Sequence, residues 1–404
     1  MSASQQSPVG AQPSVNILNP FTPQQLAASA AASAALRSSG KKMLQQTYTT
    51  AASLTYGVPT TVNLPVQPIG LNTKFFVEVT AIIANPSGGS AMTRTPFGPF
   101  NICSQIQYTD PSTNQRINTT GWHVGMTQFR RHRRVPGAAL TTDSPTGFGS
   151  NGPQPLAAPA SIAANTTNQI VRMIYEIPLS IGQDSLKGAV FSGATFTTQS
   201  LQITLNPNLC QNGTDPLGAV YTGASNSVPP TFSGVTVTLF QEFWDQFSLG
   251  LLDPLTPDLS MVYELKNTAL SPLVVNLDNF VRFTNLRTFL STVLAFDNNG
   301  TMNPGTDVNY FLLQSANQTK LRYTDIYLQE YIARNQFADG TPAGVYIFDW
   351  GKNPIVTAAE GNTVLSINPS TVNSGAVLSV GWEDIAVAAV LASASSLPGI
   401  AGVG

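Results

Sequence analysis

The stretch Lys74-Phe75-Phe76-Val77-Glu78-Val79-Thr80-Ala81-Ile82-Ile83 decides the fold class. Phe75, Val77, Val79, Ala81 and Ile83 fall on one side of an extended chain, and Lys74, Glu78 and Thr80 on the other. That is the period of two expected of a strand with one face buried. Val171, Met173, Tyr175 and Ile177 repeat it against Arg172 and Glu176, and Val235, Val237 and Leu239 repeat it against Thr236 and Thr238. Between such strands lie long segments dense in turn formers, Pro136 to Pro159 and Gln211 to Pro230, without helical periodicity. Loops longer than about 15 residues usually carry function in compact domains. The expectation is an all-β protein with long decorating loops.

At 404 residues the chain is long enough for two domains. Phe247 to Asp258, with Pro254 and Pro257, separates the first set of strands from a second. The second comprises Arg287 to Phe296, Asp307 to Leu313, Gly344 to Trp350, Thr363 to Ile367 and Ala376 to Glu383, with a helix expected from about Thr324 to Asn335. The division that follows is an arm at 1–46, domains at 47–247 and 248–384, and a tail at 385–404. The tail carries no charge, but its longest apolar run, Ile385 to Ala392, falls short of the roughly 18 residues that span a bilayer.

The arm has its own signature. Thr22-Pro23-Gln24-Gln25 reads as a helix start, with Thr as N-cap, Pro at the first helical position and Gln able to close a capping box. An Ala/Ser run with Leu26 and Leu36 follows until Gly40, which reads as a stop through its access to positive φ. So few large apolar groups bury little surface, so the helix should lie against something larger. Residues 1–77 contain no Asp or Glu, while Arg37, Lys41, Lys42 and Lys74 are basic. Arg37, Lys41 and Lys42 could meet anionic lipid headgroups; the other reading is a solvated arm.

Composition narrows the function. The chain carries 19 basic and 21 acidic residues, 10% in all, with two histidines, two cysteines and a net charge of -2. Soluble domains average roughly 25% charged residues. Acid/base, nucleophilic and metal catalysis draw on these groups, while contact surfaces need mainly shape and backbone hydrogen bonds. No catalytic residue, metal site or cofactor is expected. Cys103 and Cys210 are too far apart for a metal knuckle and are expected as reduced core residues. The opening residues lack a charged-then-apolar leader, so no secretory signal is expected and the Asn-x-Ser/Thr sequons are read as turn chemistry.

A few motifs need weighing. Arg130, Arg131, Arg133 and Arg134 flank His132; this cluster is either a phosphate or other anion site or a solvated loop or subunit contact. Gly147-Phe-Gly149-Ser-Asn-Gly152 has dinucleotide-fingerprint spacing, but Pro145, Pro153 and Pro155 forbid the helix that motif requires. Asp297, Asn299, Thr301 and Asn303 alternate like calcium ligands, yet Asn299-Gly300 is more simply a tight turn with positive φ. His123, beside Trp122, is expected to be structural.

Phe97-Gly98-Pro99, Tyr108-Thr109-Asp110-Pro111 with Asn114-Gln115-Arg116, Gly121-Trp122-His123 and Thr142-Asp143-Ser144-Pro145 resemble the first-domain pattern of tectiviral major capsid proteins. Leu290-Ser291-Thr292, Phe296-Asp297-Asn298 and Gly305-Thr306-Asp307-Val308-Asn309-Tyr310 are similar to the same family in order and spacing. The resemblance covers about residues 47–384. It implies two eight-stranded jelly rolls side by side, and a homotrimer with a nearly hexagonal footprint that tiles an icosahedral shell around an internal lipid membrane and double-stranded DNA. It further implies a virion location after assembly in the host cytoplasm. The implied partners are neighbouring trimers, penton and minor capsid proteins, and the membrane through the N-terminal arm, without direct sequence-specific nucleic-acid binding. The Arg130 to Arg134 cluster and the Ala/Gly tail depart from the family pattern. The reading from another class is a two-domain β-sandwich lectin or glycosidase, which requires two carboxylates about 5 to 10 Å apart in an aromatic-lined cleft.

Overall fold

The computed structural model describes residues 21–95, 97–132, 148–149, 152–153, 156–182, 185–192, 199–213, 215–283, 287–302, 307–315, 318–324, 344–350, 355–357 and 363–387. Among them are sixteen strands of five or more residues, eight before residue 246 and eight after residue 260. The first eight are β1 (Lys41–Ala51), β2 (Thr60–Pro65), β3 (Leu71–Asn85), β4 (Cys103–Thr109), β5 (Gln115–Thr119), β6 (Thr166–Pro178), β7 (Ser200–Leu205) and β8 (Thr231–Asp245). The second eight are β9 (Met261–Leu270), β10 (Asn279–Phe283), β11 (Thr288–Asp297), β12 (Val308–Ser315), β13 (Gln318–Tyr323), β14 (Val345–Asp349), β15 (Thr363–Pro369) and β16 (Val377–Val387).

The two sets pair in the same order. In the first, β1-β8-β3-β6 make one sheet and β2-β7-β4-β5 the facing one; in the second, β9-β16-β11-β14 face β10-β15-β12-β13. First, eighth, third and sixth strands oppose second, seventh, fourth and fifth, the jelly-roll arrangement, here present twice. The barrels are fused because β5 pairs in parallel with β9, Ile117 opposite Leu265 and Asn118 opposite Lys266, so one sheet runs through both.

The period of two becomes the core. Phe75, Val77, Val79, Ala81 and Ile83 of β3 are all buried, and Phe75 meets Tyr108 of the facing sheet edge-on, ring centroids 5.0 Å apart. Val171, Met173, Tyr175 and Ile177 of β6 and Val235, Val237 and Leu239 of β8 fill the same interior. Cys103 and Cys210 are free and buried, and burial pushes both thiols up to about 12. Asn299 and Gly300 both take positive φ, 59° and 87°, as the tight turn requires.

Helix α1 (Pro23–Ser39) begins as its sequence dictates: Gln25 N donates to Thr22 Oγ1 at 3.2 Å and Thr22 N donates to Gln25 Oε1 at 2.8 Å. It stops at Gly40 for a different reason from the one expected. Gly40 has φ -80°, and a Cβ there would lie 2.8 Å from Leu36 O and 3.3 Å from Asp245 O, so close approach and not positive φ excludes a side chain. Strand β1 starts at once, so residues 41–46, counted with the arm in the sequence, are strand. A second helix, α2 (Gly121–His132), follows β5 where the sequence suggested none. The helix expected at Thr324 to Asn335 lies, beyond Thr324, outside the described residues.

Candidate functional site

Several of the described charges lie where the two barrels meet, and α2 brings a group of them together. Every residue from Gly121 to Phe129 is buried. The helix approaches so closely that a Cβ at Gly121 would collide with the carbonyls of Phe100 and Cys103, and one at Gly125 with the Phe100 ring. His123 of α2 faces Gly381 of β16 in the other barrel, where no side chain would fit beside the imidazole. His123 Nδ1 lies 2.6 Å from Thr119 Oγ1, and burial pushes the imidazole down to about 4, so it is neutral and structural.

At the C-terminal end of α2, where the helix dipole favours cations, Arg130 and Arg131 both bind Glu383 of β16, the latter at 3.3 Å. Arg130 also reaches Asp349 at 3.3 Å, and Arg131 donates to Ser180 O at 3.0 Å and lies over the Tyr263 ring. Glu383 is fully buried. Burial alone would raise its pKa, but the two guanidiniums more than reverse this and hold it at about 2. Arg130 and Arg131 therefore meet an anion, but it is a carboxylate of the same chain, in the other barrel. Arg133 and Arg134 lie outside the described residues.

Two further groups flank this clamp. Arg287 binds Asp384 at 2.6 Å and Glu264 at 2.7 Å, with Lys266 2.6 Å from Glu264. On the first barrel, Lys42 pairs with Glu242 at 3.2 Å and Lys74 lies between Glu242 (3.8 Å) and Glu176 (3.0 Å). Glu176 in turn meets His132 of α2 at 2.7 Å. Charged contacts thus run from β1 through β8, β3, β6 and α2 to β16. Five buried carboxylates, Asp110, Glu176, Glu264, Glu383 and Asp384, each contact a cation. Glu383, Asp384, Glu264 and Arg287 were not singled out in the sequence, although Trp382-Glu383-Asp384, two acids inside an otherwise apolar strand, was a visible signal.

Helix α1 rests at the other contact region, against the connection between the barrels. Its Ala32 and Leu36 pack with Leu71, Leu186, Ala189, Trp244 and Leu255, and Ser33 Oγ donates to Asp258 Oδ2 at 3.0 Å. Of the basic residues expected to face lipid, Arg37 and Lys41 are exposed and Lys42 is the partner of Glu242. No described helix is long and apolar enough to cross a membrane, and no three or more His, Cys, Asp or Glu among the described residues could hold a metal ion.

The comparisons agree with this geometry. Residues 18–247 match the family described as P3 major capsid protein N-terminal, and residues 260–398 the P3 major capsid protein C-terminal family. Major capsid protein P3 of Enterobacteria phage PRD1 is 34% identical over 320 residues, covering 78% of this chain and 80% of that protein. The major capsid protein of Sulfolobus turreted icosahedral virus superposes with a TM-score of 0.62 at 12% identity, over 89% of this chain and 100% of that one. VP54 of PBCV-1 does so with a TM-score of 0.55 at 11% identity, over 86% and 93%. At those identities the two structures speak for the fold alone, which is the double jelly roll.

Proposed function

The chain belongs to the P3 major capsid protein family, and from that premise we propose that three copies form a pseudo-hexagonal trimer that tiles an icosahedral shell. As a major capsid protein it is a structural component of a phage virion that assembles with other capsid subunits. The observation that supports the trimer is the repeated strand order, two barrels of one design fused edge to edge, because three such chains in a cyclic arrangement would present six similar units. Neighbouring trimers and, at the vertices, penton and minor capsid proteins complete the lattice in this reading. Mass measurement in solution tests it. Three chains per particle are expected, and a monomer at every concentration overturns it.

The shell in this reading encloses a lipid membrane and double-stranded DNA, with the N-terminal arm turned to the lipid. The acid-free stretch 1–77 and the exposed Arg37 and Lys41 support the arm's role, each cation near an anionic surface contributing about 1 kcal/mol. Deleting residues 1–40 should leave trimers intact but impair shell assembly or lipid retention. Unchanged membrane-filled particles count against it.

A further inference from the structure

Among the described residues, the internal fusion of the two barrels leaves a matching pair of strand edges without a second partner. Within the chain, the first strand of the second barrel, β9, pairs in parallel with the fifth strand of the first, β5. The counterpart strands are β1, first strand of the first barrel, and β13, fifth strand of the second. Each is the last strand of its sheet, paired on one side only among the described residues. The two first strands differ most in exposure. Val262 to Leu265 of β9 are buried under the other barrel, whereas Lys41 to Gln46 of β1 are all exposed.

Register fixes which residues correspond. Leu265 of β9 lies opposite Glu383 of the eighth strand β16, and Leu44 of β1 opposite Glu242 of the eighth strand β8. Leu265 is 0% exposed and Leu44 is 60% exposed. On the other edge, β4 and β5 pair Tyr108 with Ile117 and then slip to Thr109 with Gln115; β12 and β13 pair Leu313 with Leu321 and then slip to Gln314 with Thr319. The irregularity falls at the same place, so Leu321 corresponds to Ile117 and Arg322 to Asn118.

We propose that β1 of one copy pairs in parallel with β13 of a second copy, with Leu44 opposite Leu321 and Gln45 opposite Arg322, repeating between chains the junction that β5 and β9 make within one. The contact is head-to-tail, and with the threefold rotation of the trimer it closes into a ring in which every barrel meets its neighbours through like edges. It covers two strand edges that have no second partner among the described residues, and it buries Leu44 as Leu265 is buried. Charge supports the register: Lys320 and Arg322 face the uncharged Met43 and Gln45, whereas a slip of one residue sets Lys320 against Lys42.

This rests on the trimer reading, and the test separates the two. Paired strands lie about 4.8 Å apart, within reach of a disulfide, and the native thiols are buried. The full chain carrying both Leu44→Cys and Leu321→Cys, oxidised and run on a denaturing gel without reductant, should give covalent species up to three chains. Either substitution alone, or Leu44→Cys with Thr319→Cys, should leave mostly single chains. A particle of three chains by mass without that cross-link overturns the strand pairing but not the trimer. Cross-linking by Leu44→Cys alone overturns the head-to-tail arrangement, and a monomer by mass overturns both. Leu44→Asp, at a position exposed in the single chain, should keep the unfolding midpoint of the monomer while raising the concentration needed for assembly at least tenfold. Unchanged assembly of that variant also counts against the proposal.

Discussion

Helix α2 buries every residue from Gly121 to Phe129 and ends in Arg130 and Arg131 on a buried carboxylate, whereas α1 buries four of its 17 residues and ends in an exposed Arg37. The barrel closes over α2, which touches both halves. The connection between the barrels receives α1 through Ser29, Ala32, Ser33 and Leu36. The difference teaches what each can be asked to do. Removing any part of α2 should disturb how the barrels fit together, while detaching α1 should leave both barrels whole.

The largest effect should come from the clamp. Glu383→Gln leaves two guanidiniums facing a neutral amide in a water-excluded site, and breaking a buried pair of this kind costs about 3 to 5 kcal/mol. Denaturant unfolding should show the loss as a lowered midpoint for both barrels together. If only one barrel loses stability, the clamp is local and does not join the two.

Acid should reproduce much of this effect in the unaltered protein. Glu383 has a folded-state pKa held down at about 2 against an ordinary 4.5, so the unfolded chain binds its proton first as pH falls. Its contribution, about 3 kcal/mol by that difference, is complete above pH 4.5 and is lost as pH drops toward 2. Stability measured against pH should fall across that window, and Glu383→Gln should flatten the fall. An equally steep fall in the variant assigns the acid sensitivity to other carboxylates.

For α1 the expected losses are smaller and local. Leu36 is fully buried against Leu71, Trp244 and Leu255, and Leu36→Ala should remove about 2 kcal/mol or more of docking energy. Hydrogen exchange should accelerate in the α1 amides while the amides of β3 and β6 keep their protection. Acceleration in the barrels as well would make α1 part of their cooperative unit.

The same contrast explains what could be read in the sequence. Helix α1 announces itself because its signals are local: Thr22, Pro23 and Gln25 lie within four residues, and their hydrogen bonds need no other part of the chain. The strands with one wet face, β3, β6 and β8, are legible through alternation. Helix α2 is hard to read although its pattern is amphipathic, with Trp122, Gly125, Met126 and Phe129 on one face and His123, Thr127, Arg130 and Arg131 on another, because it is short and Gly121 and Gly125, present for close packing, lower its helix propensity. Strand β9 has Tyr263 and Leu265 alternating with Glu264 and Lys266, a pattern too short to stand out alone, and only Arg287 and Asp384, distant in sequence, reveal why charge is tolerated inside it. The arginine cluster is legible but its partner is not, since Glu383 lies 253 residues from Arg130 and nothing local links them.

The smallest effect, and the cleanest check on the local half of the contrast, lies at Thr22. Its hydroxyl accepts from Gln25 N and its own N–H donates to Gln25 Oε1, two bonds that end a helix otherwise short of partners. Thr22→Ala removes one of them at an exposed site, which costs about 1 kcal/mol. Because Leu36 and Ser33 hold the far end of α1, that loss should stay in the first turn. Exchange should quicken about fivefold at Gln25 and Leu26, leave Leu36 unaffected, and leave the acid limb set by Glu383 where it was. If the change reaches Leu36, the helix docks as a single rigid unit and the arm is tied to the barrels more tightly than its four buried side chains imply.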